Sequence, residues 1–255
     1  MPRREYQSQL EDLRADVVAM SDLVLSRYED ALETMVTGDP DLAQRVVDGD
    51  REVNRRYLAL ESDCIDLFAL QQPVAGDLRF VASSFKILTD LERVGDLAAN
   101  LAEYEGQTGA DRYEGVDVLD VADFAGEMVR DAMTAYEIGD PTACREVAAR
   151  DGTLDDRCAS AAEAVFTDLL GAGAGVADGP SGTAGDAHGA TDHDAADGTA
   201  DRSADGTAEF GVDAVTDDAT RLLLVLRDVE RVGDHAVNVC ARTLYATEND
   251  TELIY

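Results

Sequence analysis

The sequence predicts an all-α protein, a tandem repeat of two three-helix bundles built from six long helices. Apolar residues recur at steps of three and four over stretches of about seven helical turns, the period of a helix with one buried stripe. The tripeptide Gly-Asp-Pro stands at 38–40 and again at 139–141, and the phrase LERVGD at 91–96 returns as VERVGD at 229–234. Two markers in the same order in each half are the mark of an internal duplication.

The first helix is carried by Leu10, Leu13, Val17, Met20, Val24 and Tyr28, continuing through Ala31 and Met35. It stops at Gly38-Asp39-Pro40, where glycine breaks the pattern and proline suits the first turn of a new helix. A second helix follows from about Asp41 to Leu70 and ends before Gln71-Gln72-Pro73; a third carries the first LERVGD and fades near Gly106. The pattern then restarts. A fourth helix from about Val116 to Ile138 ends at the second Gly-Asp-Pro, a fifth runs to about Leu170, and a sixth from about Asp213 to Thr247 carries the second phrase. Helices of roughly 30 residues are about 45 Å long, and bundles pack such lengths economically.

The two markers are displaced by 101 and 138 residues, so the second half holds an insertion of about 37 residues between them. Residues 171–209 contain nine glycines, eleven alanines and eight acids, with Val176 their only larger aliphatic side chain, too little apolar surface to offset the entropy of ordering. The expected organisation is a first repeat over 1–110 and a second over 111–255, interrupted by a disordered acidic loop at 171–209. His188 and His193 lie in that loop and form only a weak metal signal.

Charge bounds the partners. Asp and Glu number 54 against 21 basic residues, a formal charge of −33, and Lys86 is the one lysine. Nucleic acid and anionic lipid draw affinity from clustered cations, so neither is an expected ligand. An acidic, arginine-rich, tryptophan-free composition is that of a halophilic cytoplasmic protein, in which most acids form a solvated surface. No phosphate-cradling glycine loop is present, and no apolar run reaches the length of a membrane span. Cys64, Cys144, Cys158 and Cys240 lack paired spacing and read as reduced, buried small hydrophobes.

The repeated phrase places chemistry on a buried stripe. Leu78, Val81, Phe85 and Leu88 lead along one helical track to Glu92, Gly95 and Asp96, as Leu222 or Leu223 and then Leu226 lead to Glu230, Gly233 and Asp234. Asp90, beside Lys86 and Arg93, is expected to be solvated. A glycine inside a helix costs about 1 kcal/mol relative to alanine, so its repetition implies a close approach to the backbone. Asp50 and Asn54 lie twelve and sixteen residues after Gly38, as Asp151 and Asp155 do after Gly139. Each is an i, i+4 pair on one helical face. Facing sets of Asp50, Asn54, Glu92 and Asp96, and of Asp151, Asp155, Glu230 and Asp234, would repel by roughly 4 kcal/mol per pair of charges at 4 Å and an effective dielectric near 20. Such oxygen-only sets suit Mg, Mn, Ca or iron. The alternative is surface acid paired with Arg93 and Arg231. Di-iron oxygen activation would need Glu-x-x-His pairs; His235 lies five residues after Glu230, so it is expected to pack or to support a ligand, and no enzymatic activity is expected.

The run VVDGDREVNRRYLALESDCIDLFALQQPVAGDLRFVASSFKILTDLERVGDLAANLAEY, with RDVERVGDHAVNVCARTLY, resembles the PhoU family of phosphate-uptake regulators. The resemblance covers nearly everything outside the insertion. It implies two three-helix bundles in tandem and metal clusters, often iron, mapping onto Asp50, Glu92 and Asp96 and onto Asp151, Asp155, Glu230 and Asp234; Asn54 departs from the acidic pattern. It further implies a cytoplasmic homodimer that restrains high-affinity phosphate uptake by associating with the ATPase or membrane subunits of a phosphate ABC transporter. The alternatives are an accessory subunit of an ion-coupled phosphate permease and a general metal-binding helical protein.

Overall fold

A computed structural model of the chain describes residues 3–70, 74–104, 117–177 and 206–254. These form α1 (Arg3–Thr37), α2 (Pro40–Leu70), α3 (Ala75–Glu103), α4 (Val118–Ile138), α5 (Pro141–Ala148), α6 (Asp151–Ala177) and α7 (Gly206–Glu248). The all-α prediction holds. The stripe read along α1 from Leu10 to Met35 is buried at every one of its positions.

Each Gly-Asp-Pro is a helix stop fused to a helix start. Gly38 and Gly139 take φ of 62° and 68°, the left-handed conformation that ends a helix without a Cβ penalty. The following aspartates cap the next helix: Asp39 Oδ1 accepts from the amides of Asp41 and Leu42 at 2.9 and 3.2 Å, and Asp140 Oδ1 from Thr142 and Ala143 at 2.8 and 3.2 Å. Pro40 and Pro141 open the helices, where their missing N–H costs nothing.

The fifth predicted helix is broken. The Arg150 amide bonds Val147 O at 2.9 Å, a tightened turn, and α6 then restarts at Asp151 with Gly152 in its first turn. The first half is continuous at the matching place, where Gly49 stands and a Cβ would press on the Arg27 guanidinium. Arg150 needs that space for a side chain that reaches Asp131 and lies 4.6 Å over the Phe124 ring. Helix α6 runs on to Ala177 and α7 starts at Gly206, so both ends of the segment 171–209 are helical. Residues 178–205, including His188 and His193, lie outside the described residues, as does the link at 105–116.

Helix α1 packs on α2 and α3, which pack on each other; α7 packs on α4, α5 and α6. The two sets join through α3 against α7 and α1 against α4. Buried polar links fasten that joint: Tyr28 donates to Ala122 O at 2.8 Å, with the ring seated on Gly126, and the Ser84 and Tyr136 hydroxyls meet at 2.8 Å. Among the described residues no helix is long and apolar enough to cross a membrane.

All four cysteines are buried and free. Burial pushes the Cys64 and Cys158 thiols up to about 12, with neighbouring carboxylates adding to the shift. Their reactive thiolate is therefore nearly absent at neutral pH. We expect the native protein to resist iodoacetamide at pH 8 and the denatured protein to take up label at all four positions within minutes, counted by intact mass. Rapid labelling of native Cys64 or Cys158 would contradict this packing.

Candidate metal centre on paired helices

The glycine of the repeated phrase is a packing surface. A Cβ on Gly95 would stand 3.0 Å from a methyl of Val53 on α2, and one on Gly233 would overlap Leu154 on α6. Val53 and Leu154 occupy matching places, each between the two polar residues of its helix: Asp50 and Asn54 in one case, Asp151 and Asp155 in the other. With the apolar side chain seated on glycine, the flanking acids stand beside the acids that flank the glycine. Two adjacent acidic groups follow from two equivalent contacts.

In the first group Asp50, Asn54, Glu92 and Asp96 are all half-buried. Asn54 donates to Asp50 Oδ2 at 2.7 Å, while Asp50 Oδ1 is buried without a partner. Burial raises the pKa of Glu92, and Asp96 and Asp50 raise it further against the opposing charge of Arg93. Burial likewise raises Asp96, helped by the nearby Asp50 carboxylate and opposed by Arg93. Arg93 lies 3.6 Å from Glu92 and 3.8 Å from Asp96, the pairing expected of ordinary surface acids.

In the second group Asp151 is half-buried and Asp155, Glu230 and Asp234 are exposed. Asp151 Oδ1 is again buried and unpartnered, the counterpart of Asp50 Oδ1. Burial raises Asp151 first, then the charges of Asp155, Asp234 and Glu230. Glu230 and Asp234 are raised by burial and next by Asp155. Arg231 turns toward Asp228 at 3.8 Å, so this group lacks the ion pairs that Arg93 supplies to the first.

The eight predicted side chains therefore gather in their two expected sets. As they stand, no three of the described His, Cys, Asp or Glu side chains converge into a metal site. The oxygen chemistry nonetheless fits a hard or oxygen-loving cation. Each set has an orphaned carboxylate oxygen beside further acids, and Glu92 and Asp96 in the first and Asp151, Glu230 and Asp234 in the second hold a proton more readily than free carboxyls, an imbalance a cation would reverse.

Asp90 corrects the sequence reading. Its side chain is only 15% exposed and accepts from Asn238 Nδ2 at 3.2 Å, with His235 Nδ1 at 3.0 Å. Lys86 and Arg93 are not its partners among these contacts; α3 buries a second face against α7, which a single-seam reading of one helix leaves out. Asp228, its counterpart on α7, is wholly buried and accepts from the Tyr104 hydroxyl at 3.0 Å and from Arg227 at 2.8 Å. The signal was in the repeat, because the duplicated string is D-x-E-R-V-G-D, with Asp90 and Asp228 opening it. Leu78, expected on the buried seam, is 44% exposed in the first turn of α3, beyond the reach of the packed core.

The PhoU domain family model matches residues 17–104. A PhoU homologue described as a phosphate-specific transport system accessory protein, from Pseudomonas putida, is 31% identical over 170 residues, which are 66% of this chain and 66% of that one. The homologue from Pseudomonas aeruginosa strain PAO1 is 25% identical over 245 residues, 95% of this chain and 85% of its own. The crystal structure of PhoU from Pseudomonas aeruginosa superposes with a TM-score of 0.72 at 24% identity, covering 96% of this chain and all of that one.

Both close contacts predict a graded response to alanine. Overpacking of this kind costs about 1–3 kcal/mol. Gly233→Ala should destabilise more than Gly95→Ala, because its Cβ overlaps Leu154 whereas that on Gly95 only crowds Val53. Urea unfolding midpoints of the two variants would check the order; equal midpoints to the unchanged protein would show that the helices do not pack on these glycines.

Proposed function

This chain belongs to the PhoU family of phosphate-transport accessory and regulatory proteins, which are not enzymes, and on that premise we propose that it restrains high-affinity phosphate uptake by docking to a phosphate ABC transporter. It would act as a cytoplasmic homodimer made of two three-helix repeats, with cations held by its two acidic sets. The observation that carries the metal part is the matched pair of orphaned oxygens, Asp50 Oδ1 and Asp151 Oδ1, each facing acids whose pKa is raised by burial and by one another. Asp151, Asp155, Glu230 and Asp234 would hold the better-charged site; Asp50, Glu92 and Asp96, with Asn54 as a neutral member, would hold the weaker. A bound cation supplies positive charge that offsets their mutual repulsion; the acids supply oxygen donors on helices held in register by Gly95 and Gly233. Docking through the ATPase or membrane subunits is supported by the transport-system names of full-length relatives. Service to an ion-coupled permease is the second reading, and the excess of acids over bases fits a protein working in high salt.

Metal removal tests the site. Binding at one hundred times Kd adds about 2.7 kcal/mol to folding. Chelation should therefore lower the melting temperature, and Glu230→Gln with Asp234→Asn should abolish most of the metal-dependent part, while Glu92→Gln with Asp96→Asn should remove less. Equal metal content by elemental analysis in the unchanged protein and the Glu230/Asp234 variant would exclude this centre.

The metal-free protein carries a pH signature of definite sign. Glu92, Asp96, Asp151, Glu230 and Asp234 all have folded pKa values raised above their ordinary ones, so their ionised forms penalise the fold at neutral pH. That penalty lifts as pH falls through the raised values toward the ordinary carboxylate range of about 4. In chelator, acidification from pH 7 to 5 should raise the melting temperature more in the unchanged protein than in the Glu230→Gln/Asp234→Asn variant. Deleting the gene should leave phosphate uptake high in phosphate-replete cells; unchanged uptake would refute the regulatory role.

A further inference from the structure

The acidic sets do not stand alone on their helices. On α2 the track of Asp50 and Asn54 continues through Leu58 and Glu61 to Ile65 and Phe68, at steps of three and four. On α3 the track of Asp96 and Glu92 leads back through Thr89 to Phe85, Ala82 and Leu78. Ile65 is 53% exposed, Leu58 and Leu78 are exposed, and Phe68 and Phe85 are half-buried. One face of the α2–α3 pair therefore carries acids at one end and apolar side chains at the other. Glu92 and Phe85 are seven residues apart, about 10 Å, and Asn54 and Ile65 eleven residues, about 16 Å.

The same face recurs in the second half. The displacement of 101 carries Ile65 onto Phe166, Phe68 onto Leu169 and Ala69 onto Leu170, and the displacement of 138 carries Phe85 onto Leu223. Phe166 is also 53% exposed and Leu170 is 77% exposed, with Leu169 and Leu223 half-buried. A large apolar side chain left in water at two equivalent places, each about two to four helical turns from an acidic set, is not the scatter of single exposed hydrophobes found on any surface.

We propose that these two faces are docking surfaces for cationic amphipathic helices of the phosphate transporter's cytoplasmic parts. This rests on the docking role proposed above and names the surface and the chemistry of what it takes. An apolar anchor on the partner fills the space over Ile65 and Phe85, or over Phe166 and Leu223, and Arg or Lys two to four turns away along the same stripe reach the acids. Charge decides the occupant. A second copy of this chain would bring acids against acids, and an anionic membrane would meet a chain of net charge −33. A cationic helix removes the repulsion within each acidic set and covers the apolar patch in one contact, the helix-in-groove mode of recognition.

The test uses the full-length protein in chelator-containing buffer, so that the acids are free of metal. Its probes are the purified transporter ATPase and peptides of about 20 residues tiled across the cytoplasmic segments of the transporter membrane subunits and of the ion-coupled permease. We expect at least one cationic amphipathic segment to bind, with affinity that falls as salt rises. Ile65→Gln with Leu78→Gln, and separately Phe166→Gln with Leu170→Gln, should each weaken binding at their own face by at least about tenfold, the loss typical of an interface anchor. These positions are exposed, so circular dichroism and melting should stay unchanged. Binding that is equal in the unchanged protein and both variants, or that selects acidic or neutral segments, would overturn this assignment and leave the docking role standing. No binding of any transporter part by the unchanged protein would overturn the docking role and this surface with it. Binding to neutral phosphatidylcholine vesicles that both variants lose would assign the patches to lipid and refute a protein partner.

Discussion

The seating of an aliphatic side chain in the gap left by a helix glycine is the contact on which the acidic face depends. Val53 against Gly95 and Leu154 against Gly233 bring α2 to α3 and α6 to α7 so close that a Cβ would crowd the first contact and overlap the second. The acidic-set residues lie three positions before and one after those contact residues, so their proximity is a by-product of apolar packing and not of any attraction among themselves. The core supplies the work that holds them together: Leu91, Val94, Leu97 and Leu101 on α3 and Val229, Val232 and Val239 on α7 are almost completely buried. Raised carboxylate pKa values are the trace that this work leaves on the surface groups.

Helices α3 and α7 run side by side in opposite directions, with Asp90 meeting His235 and Asn238 at the middle of α3 and Tyr104, just past its end, meeting Asp228. Unlike the acids outside, these polar groups are hydrogen-bonded across the joint. A partnered aspartate on each helix specifies the register of one on the other more strictly than apolar side chains can, since a slip of one turn would leave Asp228 buried without Tyr104. The relative position of the two sets is in this way tied to hydrogen bonds that lie outside both.

Much of this was legible in the chain because helices write their burial as a period. The Leu10–Met35 stripe and the two Gly-Asp-Pro turns needed only local rules, and the eight acidic-set residues could be paired because two markers counted in different registers agreed. What was hidden had a common cause. A helix in the middle of an assembly buries two faces, and a single track through α3 assigns Asp90 to water when it faces α7. Leu78 fails in the opposite sense, since periodicity alone does not say where the neighbouring helix ends. The break at Ala149-Arg150 was masked by an otherwise unbroken helical pattern.

That break makes the two copies unequal in a way their matching sequences conceal. Asp50 sits in the interior of α2, where the peptide dipoles on either side of it largely cancel. Asp151 is the first residue of α6, yet the amides of Thr153 and Leu154 already bond Arg150 O at 3.0 and 3.1 Å and its own Oδ1 stays without a partner, so the new helix start leaves its pKa raised. Arg93 offsets the charge of the first set, while in the second the matching arginine, Arg231, lies 3.8 Å from Asp228. Duplication handed the chain one packing problem twice, and the copies have drifted to two electrostatic states, one balanced by a rotatable arginine that a partner or an ion can displace, the other holding four acids whose matching arginine has turned to a different carboxylate.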